Sequence, residues 1–356
     1  MTLNERIDCF ARLGKILSGL IQGLEENTNS GKEGISQNSE FLASINKAKN
    51  ENPWFIDEHI LFALKTIASS LDKNKIDQWI NKYDGNLFRK TDYKTIGVVM
   101  AGNLPLVGFH DFLCVLMAGH RFYGKLSSED AALLPAISNI LIQINPDFKK
   151  SISFTTDKLS RFDAIIATGS NNTNRYFEYY FGKYPNILRK SRNGIAILTG
   201  EEAPQQLSGL ADDIFLYFGK GCRNVSKVYL PENYDINLLK IPFYKYHAFY
   251  HHHKYRNNYD YYKALFQVSS TAFHDFGFLL LKEEKEIASP ISILNFEFYK
   301  DLSTLKKEIA TLSDQIQCVI CHEKISGQWI LPGNAQRTEL WDYADGIDTM
   351  DFLLSL

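Results

Sequence analysis

Several things are scarce in this chain, and each scarcity excludes a class of protein. Its five cysteines are an odd number without framework spacing, which rules out a disulfide scaffold and points to reduced thiols in a cytoplasmic setting. Charge of neither sign is in excess. A formal net charge of -2 gives the whole molecule no pull toward nucleic acid or an anionic membrane. No window approaches the ~18 apolar residues that span a bilayer. The opening MTLNERIDCFARLGKIL lacks the basic start, apolar core and small-residue cleavage site of a secretory leader. Internal repeats, low-complexity tails and a GxGxxG fingerprint are also missing, which disfavours an ordinary Rossmann dehydrogenase. What remains is 356 residues, 45% of them hydrophobic. That is enough for a large core and roughly two domains without metal or disulfide support.

Residues 1 to about 90 read as helical. Ile7, Phe10, Leu13, Ile16, Leu17 and Leu20 fall on one stripe of period 3.6. NTNSGKEGISQNSE reads as a loop, and helical runs follow over Phe55 to Ser70 and Ile76 to Tyr83. Beyond that the texture changes. KTIGVVMAGN, HRFYGKLS, RFDAIIATGS and NGIAILTG are short β-rich runs alternating with helix-like segments. Strand, glycine turn and helix in repetition signal a parallel α/β sheet. Toward the C-terminus, FGFLLLKEE, SPISILNFEFY and QIQCVICHE read as strands and LSTLKKEIATL as a helix. A boundary is expected near Cys222.

Four cysteines (Cys9, Cys114, Cys318 and Cys321) sit in apolar runs and read as small buried hydrophobes. Cys222 differs. It follows Gly219-Lys220-Gly221 and precedes Arg223 and Asn224, a polar turn where glycine allows close ligand approach and nearby cations favour thiolate over thiol. On chemistry alone a nucleophilic role and a turn residue are equally good readings.

FGKGCRN after an acidic helix resembles the catalytic cysteine loop of the aldehyde dehydrogenase superfamily, and more specifically its acyl-CoA reductase (LuxC-like) branch, which supplies fatty aldehyde in bacterial bioluminescence. The order of other segments is similar too. AGNLPLVGFHDFLCVLMAGHRFYGKLSSED resembles the stretch with an asparagine before proline, a helix and a cofactor-binding lysine. ATGSNNTNRYFEYYF resembles the turn and helix beneath the cofactor. KEIASPISILNF resembles the later glutamate segment, and PGNAQRTELWDYADGIDTMDF the reductase branch's own tail. The likeness runs from about residue 90 to the end.

The resemblance implies an α/β fold with a Rossmann-type cofactor domain and an α/β catalytic domain. Residues 1–220 would carry the N-terminal helices and the dinucleotide site, and 221–330 the catalytic cysteine. Residues 331–356 would return to the first domain or join an oligomer contact, and the family likeness implies a homo-oligomer. Cys222 would be the nucleophile. Asn103 would donate to the oxyanion with the Cys222 backbone N–H, a contribution of ~3 kcal/mol; its plain alternative is a turn residue. Lys125 would bond the adenosine ribose. Three residues on, Ser128 stands where the family often has a glutamate. A serine donates to a 2′-phosphate that a carboxylate would repel, so the expected cofactor is NADPH rather than NADH. Gly169 and Ser170 would lie below the pyrophosphate at a helix N-terminus, or form an ordinary helix cap. Glu286 would orient the nicotinamide ribose.

One departure narrows the reaction. Where the superfamily carries a general-base glutamate, this chain reads ILRKSRNGIAIL. Without that base, water is not activated against the enzyme thioester. The loss fits reduction of an acyl-CoA or acyl-carrier-protein thioester to an aldehyde, rather than oxidation to an acid. A catalytically degenerate binding protein of the same fold is the competing reading.

Two signals point elsewhere. Cys318-Val-Ile-Cys321-His322 formally matches a haem-attachment motif, but the segment alternates like a buried strand. His251, His252 and His253 are adjacent, a spacing that sends successive side chains to opposite faces if extended, so they read as a solvated face rather than a metal site.

Overall fold

A computed structural model describes residues 1–30, 36–89, 92–322 and 329–356. The chain divides into two compact units, Met1–Lys190 with Thr338–Leu356, and Ser191–Arg337.

The first unit begins with α1 (Leu3–Ser30), α2 (Ser36–Glu51), α3 (Asp57–Ser70) and α4 (Lys73–Ile80). The stripe on α1 faces inward: Phe10, Leu13 and Leu17 are fully buried, each stabilising the fold by roughly 1.5–3 kcal/mol. Much of the segment read as a loop is helical, because α1 runs on to Ser30 and α2 starts at Ser36; residues 31–35 lie outside the described ones. Next come β1 (Thr95–Val99), α5 (Phe109–Met117), β2 (Arg121–Lys125), α6 (Leu133–Ile144), β3 (Ile152–Thr155), β4 (Ala164–Thr168), α7 (Asn171–Phe181) and β5 (Asn186–Arg189). The strands form a parallel sheet in the order β3-β2-β1-β4-β5. The central strands β1 and β4 are buried along most of their length, as strands covered by helices on both faces must be. Strand order reverses between β1 and β4. In sheets of this kind the crevice beyond the strands' carboxyl ends at that reversal is where ligands bind.

The second unit holds β6 (Asn193–Ile197), α8 (Pro204–Phe215), β7 (Val225–Pro231), α9 (Lys240–Phe243), α10 (His253–Val268), β8 (His274–Asp275), β9 (Leu280–Glu283), β10 (Ile293–Tyr299), α11 (Leu302–Thr311), β11 (Ile316–Ile320) and β12 (Trp329–Ile330). Its sheet runs β12-β11-β6-β7-β10-β9-β8, parallel throughout except for β8 against β9. The unit starts at Ser191 rather than near Cys222, because β6 pairs with β7. Leu210, Phe215, Val228, Phe243, Leu281 and Leu294 pack its main core.

After the second unit the chain returns to the first, ending in α12 (Thr349–Ser355). Polar side chains fasten this return. Lys75 pairs with Glu339 at 2.8 Å, Trp79 Nε1 donates to the Tyr343 hydroxyl at 2.7 Å, and Tyr83 donates to Asp348 at 2.7 Å. His110 and His120 each donate Nε2 to a backbone carbonyl, of Leu340 and Leu353, at 2.9 Å. Among the described residues no helix is long and apolar enough to cross a membrane.

Candidate active site

In the first unit the carboxyl edge of the sheet gathers five of the residues singled out from the sequence. Asn103 follows β1, Lys125 ends β2, Ser128 follows it, and Gly169 and Ser170 follow β4. The loops after β1 and β2 are in close contact: a Cβ at Gly102 would overlap the Ser127 side chain. The chain after Asn103 is held by Asp130. Its carboxylate accepts from Leu106 N–H at 2.9 Å, and Leu106 has a left-handed φ of 61°. Burial pushes the Asp130 carboxyl up to about 6, against the pull of its two backbone donors. Asn52, also buried, donates to the Gly102 carbonyl at 3.3 Å.

Ser170 caps α7. Its hydroxyl accepts from Thr173 N–H at 3.2 Å, so the plain helix-cap reading describes its own bonds, while the remaining N–H groups of the first turn still favour an anion. Lys125 is half-buried, and among the described residues its ammonium has no hydrogen-bond or ion-pair partner. Ser128 is exposed on the turn closed by the Ser127–Asp130 bridge, with the exposed Glu129 beside it. A half-buried lysine, an exposed serine hydroxyl and a helix N-terminus along one sheet edge suit a phosphorylated, polyhydroxylated ligand, so the donor set fits a nicotinamide dinucleotide.

In the second unit Cys222 is exposed at the apex of the loop between α8 and β7, whereas the other four cysteines are buried. The approach to it is strained. Tyr217 and Phe218 both have φ of 57°, followed by Gly219 at 74°; left-handed aromatic residues persist only where surroundings hold them. Phe218 is wedged against Phe249, ring centroids 4.4 Å apart, and against His252 at 4.6 Å.

Asn224 locks the other side. Its Oδ1 accepts from Gly221 N–H at 2.8 Å, and its Nδ2 donates to the carbonyls of Asp213 at 3.0 Å and Leu216 at 2.9 Å. Those carbonyls belong to the end of α8, which would otherwise lack partners. Gly194, in the stretch where the resemblance would place a glutamate, approaches so closely that a Cβ would lie 2.7 Å from the Arg223 carbonyl, and its N–H donates to the Asn224 carbonyl at 2.9 Å. Asp213 in turn accepts from Gly333 and Ala335 N–H at 2.7 and 2.9 Å, and burial lifts its carboxyl to about 7.

Glu286 is exposed on the loop between β9 and β10. The Ser226 hydroxyl, on the strand that follows Cys222, donates to the Ile287 carbonyl at 2.7 Å, so the structure brings the Glu286 segment beside the cysteine strand. The histidine run does not form a cluster. His251 and His253 are exposed, while His252 caps α10 and packs on Phe218. Cys318 and Cys321 are buried in and beside β11. Among the described residues no group of three His, Cys, Asp or Glu side chains is placed to hold a metal. Asn224, Asp130 and Lys227 were not picked out from the sequence. The only signal for Asn224 was its place two residues after Cys222 in a polar turn.

No family model matches the chain. A 173-residue stretch, 43% of this chain and 35% of the other, is 25% identical to a long-chain acyl-protein thioester reductase of Aliivibrio fischeri; the likeness thus covers about a third of that relative's length. Aldehyde dehydrogenase 21 of Physcomitrella patens, solved with succinate, superposes with a TM-score of 0.63 at 11% identity, over 100% of this chain and 84% of that one. Aldehyde dehydrogenase C of Pseudomonas syringae, solved with NAD+ and octanal, gives 0.59 at 9% identity over 90% and 72%. The two parallel sheets, the strand-order reversal and these superpositions establish the fold of this chain as that of the aldehyde dehydrogenases.

Proposed function

We propose that the protein is an NADPH-dependent reductase that converts a long-chain acyl thioester, carried on CoA or acyl carrier protein, to the aldehyde. The observation that carries the reading is Cys222: one exposed thiol on a strained loop fixed by Asn224, in a chain with the aldehyde dehydrogenase fold. The partial likeness to an acyl-protein thioester reductase supports the substrate class.

In this reading the Cys222 thiolate attacks the acyl carbonyl. A C–S bond to Cys222 forms and the bond to the carrier sulfur breaks, releasing the carrier thiol. The Cys222 backbone N–H and the Asn103 amide are assigned as donors to the oxyanion. Reduced nicotinamide, when bound, supplies a hydride to the acyl carbon. Collapse of the thiohemiacetal then returns the Cys222 thiolate and releases aldehyde. Lys125, Ser128 and the α7 N-terminus with Gly169 and Ser170 would hold the dinucleotide, and Glu286 the nicotinamide ribose. Hydrolysis of the acyl-enzyme would need an activated water, and no Asp or Glu occurs from Pro185 to Gly200. The carboxylate of Glu202, just beyond, is buried and occupied by Thr199 N–H at 2.6 Å and by His322 at 3.0 Å.

Peptide mapping after incubation with palmitoyl-CoA, without nicotinamide, tests the first step. An acyl adduct on Cys222 is expected. An adduct on other cysteines, or none, contradicts the assignment.

A further inference from the structure

The segment that carries Glu286 is fastened in an unusual way. Four consecutive backbone carbonyls, of Lys285, Glu286, Ile287 and Ala288, all accept hydrogen bonds from side chains of two neighbouring strands. Lys227 Nζ donates to Lys285 at 2.7 Å, Asn295 Nδ2 to Glu286 at 3.0 Å and to Ala288 at 3.1 Å, and the Ser226 hydroxyl to Ile287 at 2.7 Å. The three donors are 9, 0 and 3% exposed for Ser226, Lys227 and Asn295 respectively.

Their convergence follows from strand geometry. Asn295 on β10 is the register partner of Lys227 on β7, so the two stand side by side on one face. Consecutive residues of a regular strand point to opposite faces, and Ser226 would then point away. Between β6 and β7, however, the register steps from Gly194↔Val225 to Ile195↔Lys227, leaving Ser226 unopposed. Such a bulge re-aims a side chain, and here both Ser226 and Lys227 reach the same segment. Lys227 is a buried cation, costly to desolvate. It is matched by Glu297 at 2.6 Å and by the face of Tyr229, 4.7 Å from the ring centroid. A buried charge whose second bond goes to a loop carbonyl fixes that loop more tightly than apolar packing would.

We infer that Ser226, Lys227 and Asn295 are positioning residues that hold the backbone at residues 285–288, so that Glu286 projects in one direction toward the nicotinamide ribose. The inference rests on the reading of Glu286 as a cofactor residue. It adds a dedicated frame, built into the strand that follows Cys222 and its neighbour, that serves the cofactor segment.

The test uses the full chain with NADPH and palmitoyl-CoA. Asn295→Ala, Lys227→Met, Ser226→Ala and Ser226→Thr are compared with Glu286→Ala and with the double variant Asn295→Ala/Glu286→Ala. Thermal unfolding monitors the fold. We expect Asn295→Ala and Ser226→Ala to raise KM for NADPH about tenfold, while the cofactor-free acylation rate of Cys222 stays within about twofold. Ser226→Thr, which keeps the hydroxyl, restores KM. In the double variant the Asn295 effect disappears, because a residue that acts through Glu286 is silent once Glu286 is gone. If Asn295→Ala fails to fold, the Ser226→Ala and Ser226→Thr pair decides. A normal KM in the Ser226 and Asn295 variants alongside an impaired Glu286→Ala overturns this inference and leaves the reductase reading standing. Additive effects in the double variant also overturn it. A wild type that neither binds nor oxidises NADPH overturns both.

Discussion

Replacing Asn224 with alanine removes one side chain whose three shortest bonds go to backbone groups around Cys222: Gly221 N–H and the carbonyls of Asp213 and Leu216. Asn224 is 2% exposed, so water does not readily take its place. Each orphaned buried group costs about 1–3 kcal/mol, which gives roughly 3 kcal/mol as the lower figure for an unrelaxed loop. Against this stands the strain held at Tyr217 and Phe218, both at φ 57°, of order 1–3 kcal/mol per residue. With the asparagine gone, relaxing that strain outweighs keeping the loop, and Cys222 loses its fixed position. The variant should therefore unfold at lower denaturant, with a loss of about 2–3 kcal/mol. It should also acylate Cys222 from palmitoyl-CoA about 100-fold more slowly, as expected when a reacting group loses its alignment. Alkylation by iodoacetamide, which needs no alignment, should change little. An Asn224→Ala protein that acylates at the wild-type rate would refute the claim that this side chain builds the site.

Other consequences can be measured directly. Ser128→Glu places a carboxylate where the reading has a 2′-phosphate, and should lower kcat/KM for NADPH relative to NADH by about tenfold or more; an unchanged ratio places the phosphate elsewhere. Burial raises the Asp213 carboxyl to about 7 from an ordinary 3.8. The folded state thus holds a proton that the unfolded chain releases, and stability rises as pH falls through about 7, fully gained near about 4. Urea midpoints from pH 8 to 6 should increase more in the wild type than in Asp213→Asn, by about 1 kcal/mol or less per pH unit; parallel profiles would contradict this. Arg189 and Asp111 form a buried two-point pair at 2.6 and 2.9 Å, with Arg189 also bonding Thr349 of the returning segment at 2.9 Å. Arg189→Ala should cost about 3–5 kcal/mol, and Arg189→Met/Asp111→Leu should recover part of it; equal thermal midpoints for the two would count against a stranded charge.

The parts of this fold that show in the sequence are those with a strong period. The α1 stripe and the apolar runs of β1 and β4 stand out because both faces, or one whole helix face, are buried. The helix α2 was missed because its buried positions, Phe41, Ile45 and Ala48, supply one small or isolated apolar side chain per turn. Strands β3 and β5 were missed because they are four residues long, and Arg189 at the end of β5 looks like a surface residue until Asp111 is placed against it. Cys222 was legible because glycines and cations surround it in sequence. The residues that hold the loops were not, because they act at a distance: Asp130 holds Leu106 in the first unit, and Lys227, a charged residue, is fully buried in the second. Its partners Glu297, the Lys285 carbonyl and the Tyr229 ring explain that burial.

The most direct test of the central claim is oxidation of NADPH by the purified protein with acyl-CoA thioesters of increasing chain length, with aldehyde measured as product, in the wild type and in Cys222→Ala. The account predicts aldehyde formed in step with NADPH consumed on long-chain substrates, and no turnover in the variant. Turnover that survives the loss of Cys222, or a wild type that forms no aldehyde from any thioester, would contradict it.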